Sequence, residues 1–134
     1  MIARCQEAEV LSIQSHVVSG YVGNKSAIFP LQVLGFEVHP INSVQFSNHT
    51  GYGSWTGTVM ESDELADLMR GLEANRLDRF SHILTGYVGA SSFLEQVHLT
   101  VERLKAKNPD TIYGKHSQFH CFLWAFLILF SYGV

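Results

Sequence analysis

An α/β fold, in which a parallel sheet carries helices on its faces, is predicted by three features of the sequence. Short apolar runs with strand character alternate along the chain with segments of helical periodicity, the pattern of successive βα units. The length of 134 residues suits one domain, since domains cluster at about 100 to 150 residues. Hydrophobic residues make up 46% and charged residues 16%, against a usual charged share of about 25%, so the chain can bury a sizeable core and is not of disordered composition.

The elements follow in order. A first strand is expected around Val10 to Gln14, reaching Ser15, His16 and the glycine turn GYVG at Gly20 to Gly23. A helix starts near Asn24, and a second strand runs from about Phe36 to Val44. Ser62 is the expected N-cap of the next helix, with Asp63 and Glu64 in its positively polarised first turn. Leu65, Leu68, Met69 and Leu72 stand at i, i+3, i+4 and i+7 and form one stripe toward a sheet. A third strand covers His82 to Thr85 and ends at Gly86. Ser92 and Glu95 have capping-box spacing, and the helix they open carries Leu94, Val97, Val101 and Leu104 on one face before Asn108-Pro109 stops it. Thr111 to Tyr113 begins a fourth strand, which breaks into the polar residues Gly114 to Ser117. GYVG recurs at Gly86 to Gly89 with different flanks, as two turns and not a repeat.

Composition excludes several classes. Nine basic against twelve acidic residues give a net charge of -3, and no Lys/Arg run is present to displace counterions from a phosphate backbone, so no nucleic acid partner is expected. Cys5 and Cys121 are too few for a disulfide framework and lack zinc spacing, which suggests a reducing, cytoplasmic setting. Glu7 and Glu9 interrupt any secretory core. Every Lys, Arg, Asp and Glu lies at or before Lys115, and the run from Phe119 to Phe130 is apolar except for His120. A spanning helix needs about 20 such residues, so no membrane association is expected.

In open α/β sheets, ligands bind beyond the carboxyl ends of the strands. The loops there offer Ser15, His16 and Gly20 to Gly23, then Phe46 to Gly53, then Thr85, Gly86 and Tyr87. Hydroxyls on Ser15 and Thr50 with the rings of Phe46 and Tyr87 suit a small, flat molecule with polar edges; hydroxyls in such loops are more often turn or cap groups. Gly20 to Ser26 has a Lys-Ser ending without P-loop spacing. Ser15 and His16 are strand neighbours and point to opposite faces, and His116, His120 and Cys121 give no complete metal site. Asp63, Glu64, Asp67, Glu73, Glu95 and Glu102 belong to helices, while Glu37 and Asp110 lie near strand starts. The residues therefore show half a binding pocket, with no visible catalytic acid or base and no metal site.

From Val10 to Tyr52, VLSIQSHVVSGYVGNKSAIFPLQVLGFEVHPINSVQFSNHTGY, the chain closely resembles the pyridoxal kinases of the ribokinase superfamily. The likeness continues through GLEANRL (Gly71 to Leu77), HILTGYVGASSFL (His82 to Leu94) and the helix up to Asn108-Pro109, about residues 10 to 113. It implies a three-layer α/β/α ribokinase-like fold, a homodimer or a heterodimer with a complete kinase, and ATP-dependent phosphorylation of the 5′-hydroxymethyl group of pyridoxal, pyridoxine or pyridoxamine with Mg²⁺ and K⁺. By the same resemblance Ser15 of SIQSH and Thr50 of SNHTGY hold the pyridine substrate, and Val22, Phe46 and Tyr87 wall its pocket.

The departure from the family comes at Tyr113. Where the family continues into a D-P-V-x-G-D segment, this chain reads GKHSQFHCFLWAFLILFSYGV. The resemblance thus divides the chain into a ribokinase-like part, residues 1–113, truncated after about the fourth strand, and an apolar tail, residues 114–134. The residues that serve ATP and Mg²⁺ in the family, and its catalytic base, have no counterpart here, so no catalytic residue is assigned. The expectation is a chain that keeps the substrate-binding half and is inactive alone, or a noncatalytic pyridoxal-binding module that poisons a kinase dimer.

Overall fold

A computed structural model describes residues 8–86, 88 and 90–115. Its elements are β1 (Glu9–Val17), α1 (Asn24–Val33), β2 (Glu37–Phe46), β3 (Gly57–Val59), α2 (Ser62–Ala74), β4 (His82–Thr85), α3 (Ser91–Lys107) and β5 (Ile112–Lys115). The strands form one sheet of order β3-β2-β1-β4-β5. β1 lies parallel to both β2 and β4, and β4 lies parallel to β5. β3 runs antiparallel to β2, so the expected parallel sheet is a mixed one. Gly57–Val59 is three residues long, starts on glycine and is exposed throughout, and it offers no hydrophobic period by which to find it.

Alternation along β1 divides the core into two. Leu11 and Ile13 join Ile41 and Ile83 under Leu65 and Met69 of α2 and Phe93, Val97, Val101 and Leu104 of α3. Val10, of opposite parity, joins Val38 and Leu31, with Ala27 and Ile28 of α1 packed against them. Helices thus cover both faces, as the ribokinase-like α/β/α arrangement requires. Burying each Leu, Ile or Val side chain contributes about 1.5 to 3 kcal/mol, and the α2/α3 face holds most of them. Pro40 sits in mid-strand opposite Ser12. It is tolerated because β3 reaches only Val44 to Phe46, leaving that stretch of β2 with a single partner.

Several element details differ from expectation. The N-cap of α2 is Glu61, whose backbone N–H donates to the Glu64 carboxylate at 2.7 Å; Ser62 is already helical. α3 starts at Ser91 with Ala90 as its N-cap, so Ser92 caps nothing. Leu68 and Leu94 are exposed, and Phe93 supplies the buried contact expected of Leu94. Both leucines lie at the rim of their apolar stripes, whose centre the helical period marks without fixing the edge. β5 continues past Tyr113, pairing Gly114 with Leu84 and Lys115 with Thr85. No helix among the described residues is long and apolar enough to cross a membrane. Cys5, Tyr87, His116, His120, Cys121 and the run from Phe119 to Phe130 lie outside the described residues.

Candidate functional site

The strand order locates the crevice. From β1 the chain leaves for α1 on one face, and from β4 it leaves for α3 on the other. Adjacent strands whose connections diverge in this way open a gap at their carboxyl ends, where ligands bind in open α/β sheets. Ser15 stands at that end of β1, and Thr85 and Gly86 stand at that end of β4.

Ser15 occupies an irregularity. Gln14 pairs with Asn42, but the next matched pair is His16 with Gln45, so two steps on β1 answer three on β2. Such bulges bend a strand and re-aim a side chain. Gly23 closes on Ser15 from the helix side: a Cβ there would lie 2.1 Å from the Ser15 carbonyl oxygen and 2.5 Å from Ser15 Oγ, and its φ of +52° favours glycine. Only the absent side chain lets the turn that carries Val22 approach so closely. The Lys25 amine bonds the Val18 carbonyl and lies 5.6 Å above the Tyr21 ring, and Ser26 Oγ donates to the Gly23 carbonyl at 2.9 Å.

Beneath this turn lies a buried polar knot. Ser12 Oγ donates to Asn24 Oδ1 at 2.7 Å, and Gln14 Nε2 donates to Ser12 Oγ at 3.0 Å. Asn24 Nδ2 donates to the Ile41 carbonyl at 2.9 Å and to Asn42 Oδ1 at 2.8 Å. Gln14 also lines the place where Gly86 comes close, 3.1 Å from any Cβ built on that glycine. Ser12, Gln14 and Asn24 take no part in the sequence expectation for the site. Their signal is parity: Ser12 and Gln14 put two polar groups on one face of an otherwise apolar strand.

Phe46 ends β2 rather than opening the loop, and it stands opposite Val17. The loops after β1 and β2 travel together, since Val18 N–H donates to the Phe46 carbonyl and Ser19 N–H to the Ser47 carbonyl, both at 2.9 Å. Thr50 is exposed in the loop from Ser47 to Thr56. That loop is closed by Ser47 N–H on the Thr56 carbonyl at 2.8 Å and braced by Asn48 Nδ2 on the Ser54 carbonyl at 3.0 Å. His49 Nδ1 accepts the Gly51 N–H at 2.9 Å, which shapes the turn at Thr50. Ser15 and Val22 are half-buried and stand on either side of the close approach of Gly23 to Ser15, Phe46 ends β2 beside them, and Thr50 lies in the loop that follows; Tyr87 is outside the described residues.

The donor set is neutral. No Asp or Glu occurs in the loops after β1, β2 and β4, and no cluster of three or more His, Cys, Asp or Glu residues able to hold a metal exists among the described residues. Mg²⁺ favours carboxylate and phosphate oxygens, so hydroxyls, amides and imidazoles of this kind do not fit it. The charged groups gather elsewhere, around a concavity between α2 and α3. There Glu73 accepts from Arg103 and Lys107, each at 2.6 Å, and Asp78 accepts from Lys107 at 2.5 Å. Lys107 holds both carboxyls below the ordinary carboxylate range, and they hold its ammonium above the ordinary lysine value. These charges satisfy one another near the amino ends of β4 and β5, away from the crevice.

No family model matches the chain. A pyridoxal kinase of Arabidopsis thaliana is 58% identical over 104 residues, 78% of this chain and 34% of that protein. A human pyridoxal kinase is 56% identical over 108 residues, 81% of this chain and 35% of the relative. The chain thus spans about a third of the length of these relatives. Among solved structures, a Leishmania donovani pyridoxal kinase in complex with ADP and ginkgotoxin superposes with a TM-score of 0.76 at 42% identity, over 79% of this chain and 39% of the other. A phosphomethylpyrimidine kinase from Bacteroides thetaiotaomicron, 21% identical with a TM-score of 0.76, shares the fold. Sequence and architecture agree that the described residues form a ribokinase-like α/β unit homologous to part of the pyridoxal kinases.

Proposed function

We propose that the crevice at the carboxyl ends of β1, β2 and β4 binds pyridoxal or a related B6 vitamer, as the substrate half of an ATP-dependent pyridoxal kinase site. The observation that carries this reading is that the chain leaving β1, which bears Ser15 near its end, is joined to the start of the loop that bears Thr50 by the Val18–Phe46 and Ser19–Ser47 hydrogen bonds. Their hydroxyls would fix the polar edge of the pyridine ring, with Val22, Phe46 and Tyr87 walling it. Solved Leishmania donovani pyridoxal kinases hold ADP with pyridoxamine or pyridoxine, which supports a vitamer in this crevice. Transfer of the γ-phosphate to the 5′-hydroxymethyl group requires charge neutralisation and a positioned nucleophile. The carboxylate-free loops offer neither, so these residues are inactive as a kinase alone, and ATP, Mg²⁺ and K⁺ need groups beyond them.

The same neutral donor set favours a second reading, a noncatalytic pyridoxal-binding module that pairs with a complete kinase chain in the cytoplasm. Phe29 and Val33 of α1 and its C-cap Leu34 expose apolar surface such a pairing would cover. Calorimetric titration of the 134-residue chain with pyridoxal tests the binding claim. Ser15→Ala and Thr50→Ala should each weaken affinity by about 1 to 3 kcal/mol, the effect of losing a ligand hydrogen bond; unchanged affinity in both would refute the pocket. Assay of phosphate transfer with ATP, Mg²⁺ and K⁺, beside a complete kinase, separates the two readings from an active enzyme. Robust turnover would overturn both.

A further inference from the structure

We propose that Asn24 is the positioning residue of this pocket: its side-chain amide maintains the register shift between β1 and β2 and so sets where Ser15 stands. The inference rests on the reading of Ser15 as a pyridoxal ligand. Asn24 is the first residue of α1, a place where asparagine is ordinarily solvated, yet it is 0% exposed. A bulge leaves backbone groups without ladder partners, and the carbonyls beside this one are those of Gln14 and Ile41. Asn24 Nδ2 is 2.9 Å from the Ile41 oxygen and 3.4 Å from the Gln14 oxygen, so one amide serves both strands at the point where their pairing slips. Its Oδ1 takes the Ser12 hydroxyl, which in turn takes Gln14 Nε2, and its Nδ2 also reaches Asn42.

The residue before Asn24 is Gly23, which comes so close to Ser15 that a Cβ on it would fall 2.1 Å from the Ser15 carbonyl oxygen and 2.5 Å from its hydroxyl. A single dipeptide thus touches Ser15 from above and anchors the strands on both sides of it. The job demands both functions of a carboxamide. Aspartate keeps the acceptor for Ser12 but has no donor for Ile41, Gln14 and Asn42, and glutamine carries its amide one methylene too far from the strands.

Residue-resolved hydrogen–deuterium exchange on the full 134-residue chain is the first readout. Asn24→Asp should speed exchange of the Ser15, His16 and Val17 amides by about tenfold or more, while Leu11 and Ile83 keep their protection. Ser12→Ala removes one bond to the same amide and should act in the same direction more weakly, which keeps the test alive if Asn24→Asp does not fold. The second readout is a double-mutant cycle with Ser15→Ala, titrated with pyridoxal. Asn24→Asp should weaken binding about tenfold when Ser15 is present, the equivalent of about one buried hydrogen bond, and less than about twofold in the Ser15→Ala background. Uniformly faster exchange across the sheet, or equal loss of affinity in both backgrounds, would reduce Asn24 to a structural residue and overturn the inference. A Ser15→Ala chain that binds pyridoxal like wild type would sink the ligand reading of Ser15, and the positioning role with it.

Discussion

At the carboxyl ends of β1 and β2 the polar groups are neutral, inward-facing and tied to backbone: Ser12, Gln14 and Asn24 are all buried and share a chain of hydrogen bonds. At the amino ends of β4 and β5 the polar groups are charged and outward-facing, with Glu73, Arg103 and Lys107 holding one another at the surface. Buried neutral groups must keep every partner, since an orphaned one costs about 1 to 3 kcal/mol. Exposed ion pairs are each worth little and yield to salt. The contrast separates shape from solubility: one end of the sheet holds a buried hydrogen-bonded knot that tolerates little change, and the other a solvated brace that tolerates much.

The largest expected effect tests the intolerant end. Gly23→Ala would place a methyl group 2.1 Å from the Ser15 carbonyl at a φ of +52°, and neither backbone can retreat without breaking the Asn24 knot. Destabilisation of at least about 2 kcal/mol is expected in urea denaturation, together with loss of pyridoxal binding. Gly71, inside α2, has nothing within 4 Å of a built Cβ, so Gly71→Ala should stabilise by about 0.5 to 1 kcal/mol. If Gly23→Ala were neutral, the carboxyl-end loops would be far softer than their contacts indicate.

How much of this was legible beforehand follows from which signals have a period. His82 to Thr85 is a strand with the expected bounds, because four residues between a turn and a glycine stop leave no choice. The stripe on α2 places Leu65 and Met69 correctly but also includes Leu68, which faces solvent; the helical period marks a face about 100° wide without fixing its rim. Thr50 is legible as a loop hydroxyl beyond a strand end, whereas Ser15, expected just past the first strand, lies within β1 at its bulge because the strand runs on to Val17. Asn24 is legible as a helix start and no more, since its burial depends on a bulge between β1 and β2. A register shift between distant strands leaves no local trace in either one.

A smaller effect probes the amino end through pH. His82 opens β4, lies edge-on to Phe36 with ring centroids 5.2 Å apart, and has its Nδ1 2.9 Å from Ser81 Oγ. Burial pushes its pKa below the ordinary histidine value. The unfolded chain therefore binds the proton more readily than the folded one, and this stabilising contribution is present above about pH 6.5 and is lost as pH falls below it. Denaturant midpoints measured across that range should fall on acidification, and His82→Gln should flatten the slope. An identical slope in the variant would place the sensitivity in other groups.

The smallest effect is expected at the ion cluster. Glu73 and Asp78 are held below their ordinary values chiefly by hydrogen bonds from Lys107, whose own value is raised by Asp78 and Glu73. Depressed carboxylates stabilise above their unfolded values, and a raised ammonium stabilises below its own, so the cluster acts at full strength between about pH 5 and pH 10 and fades outside both limits. Within that window, screening should remove most of it, because the Debye length shrinks to about 3 Å at 1 M salt. The melting temperature of the wild-type chain should therefore drop slightly with added salt, whereas that of Lys107→Met should not, and pyridoxal binding should be the same in both. A Lys107→Met chain that lost pyridoxal affinity while staying folded would couple the two ends of the sheet and break the separation between buried knot and brace.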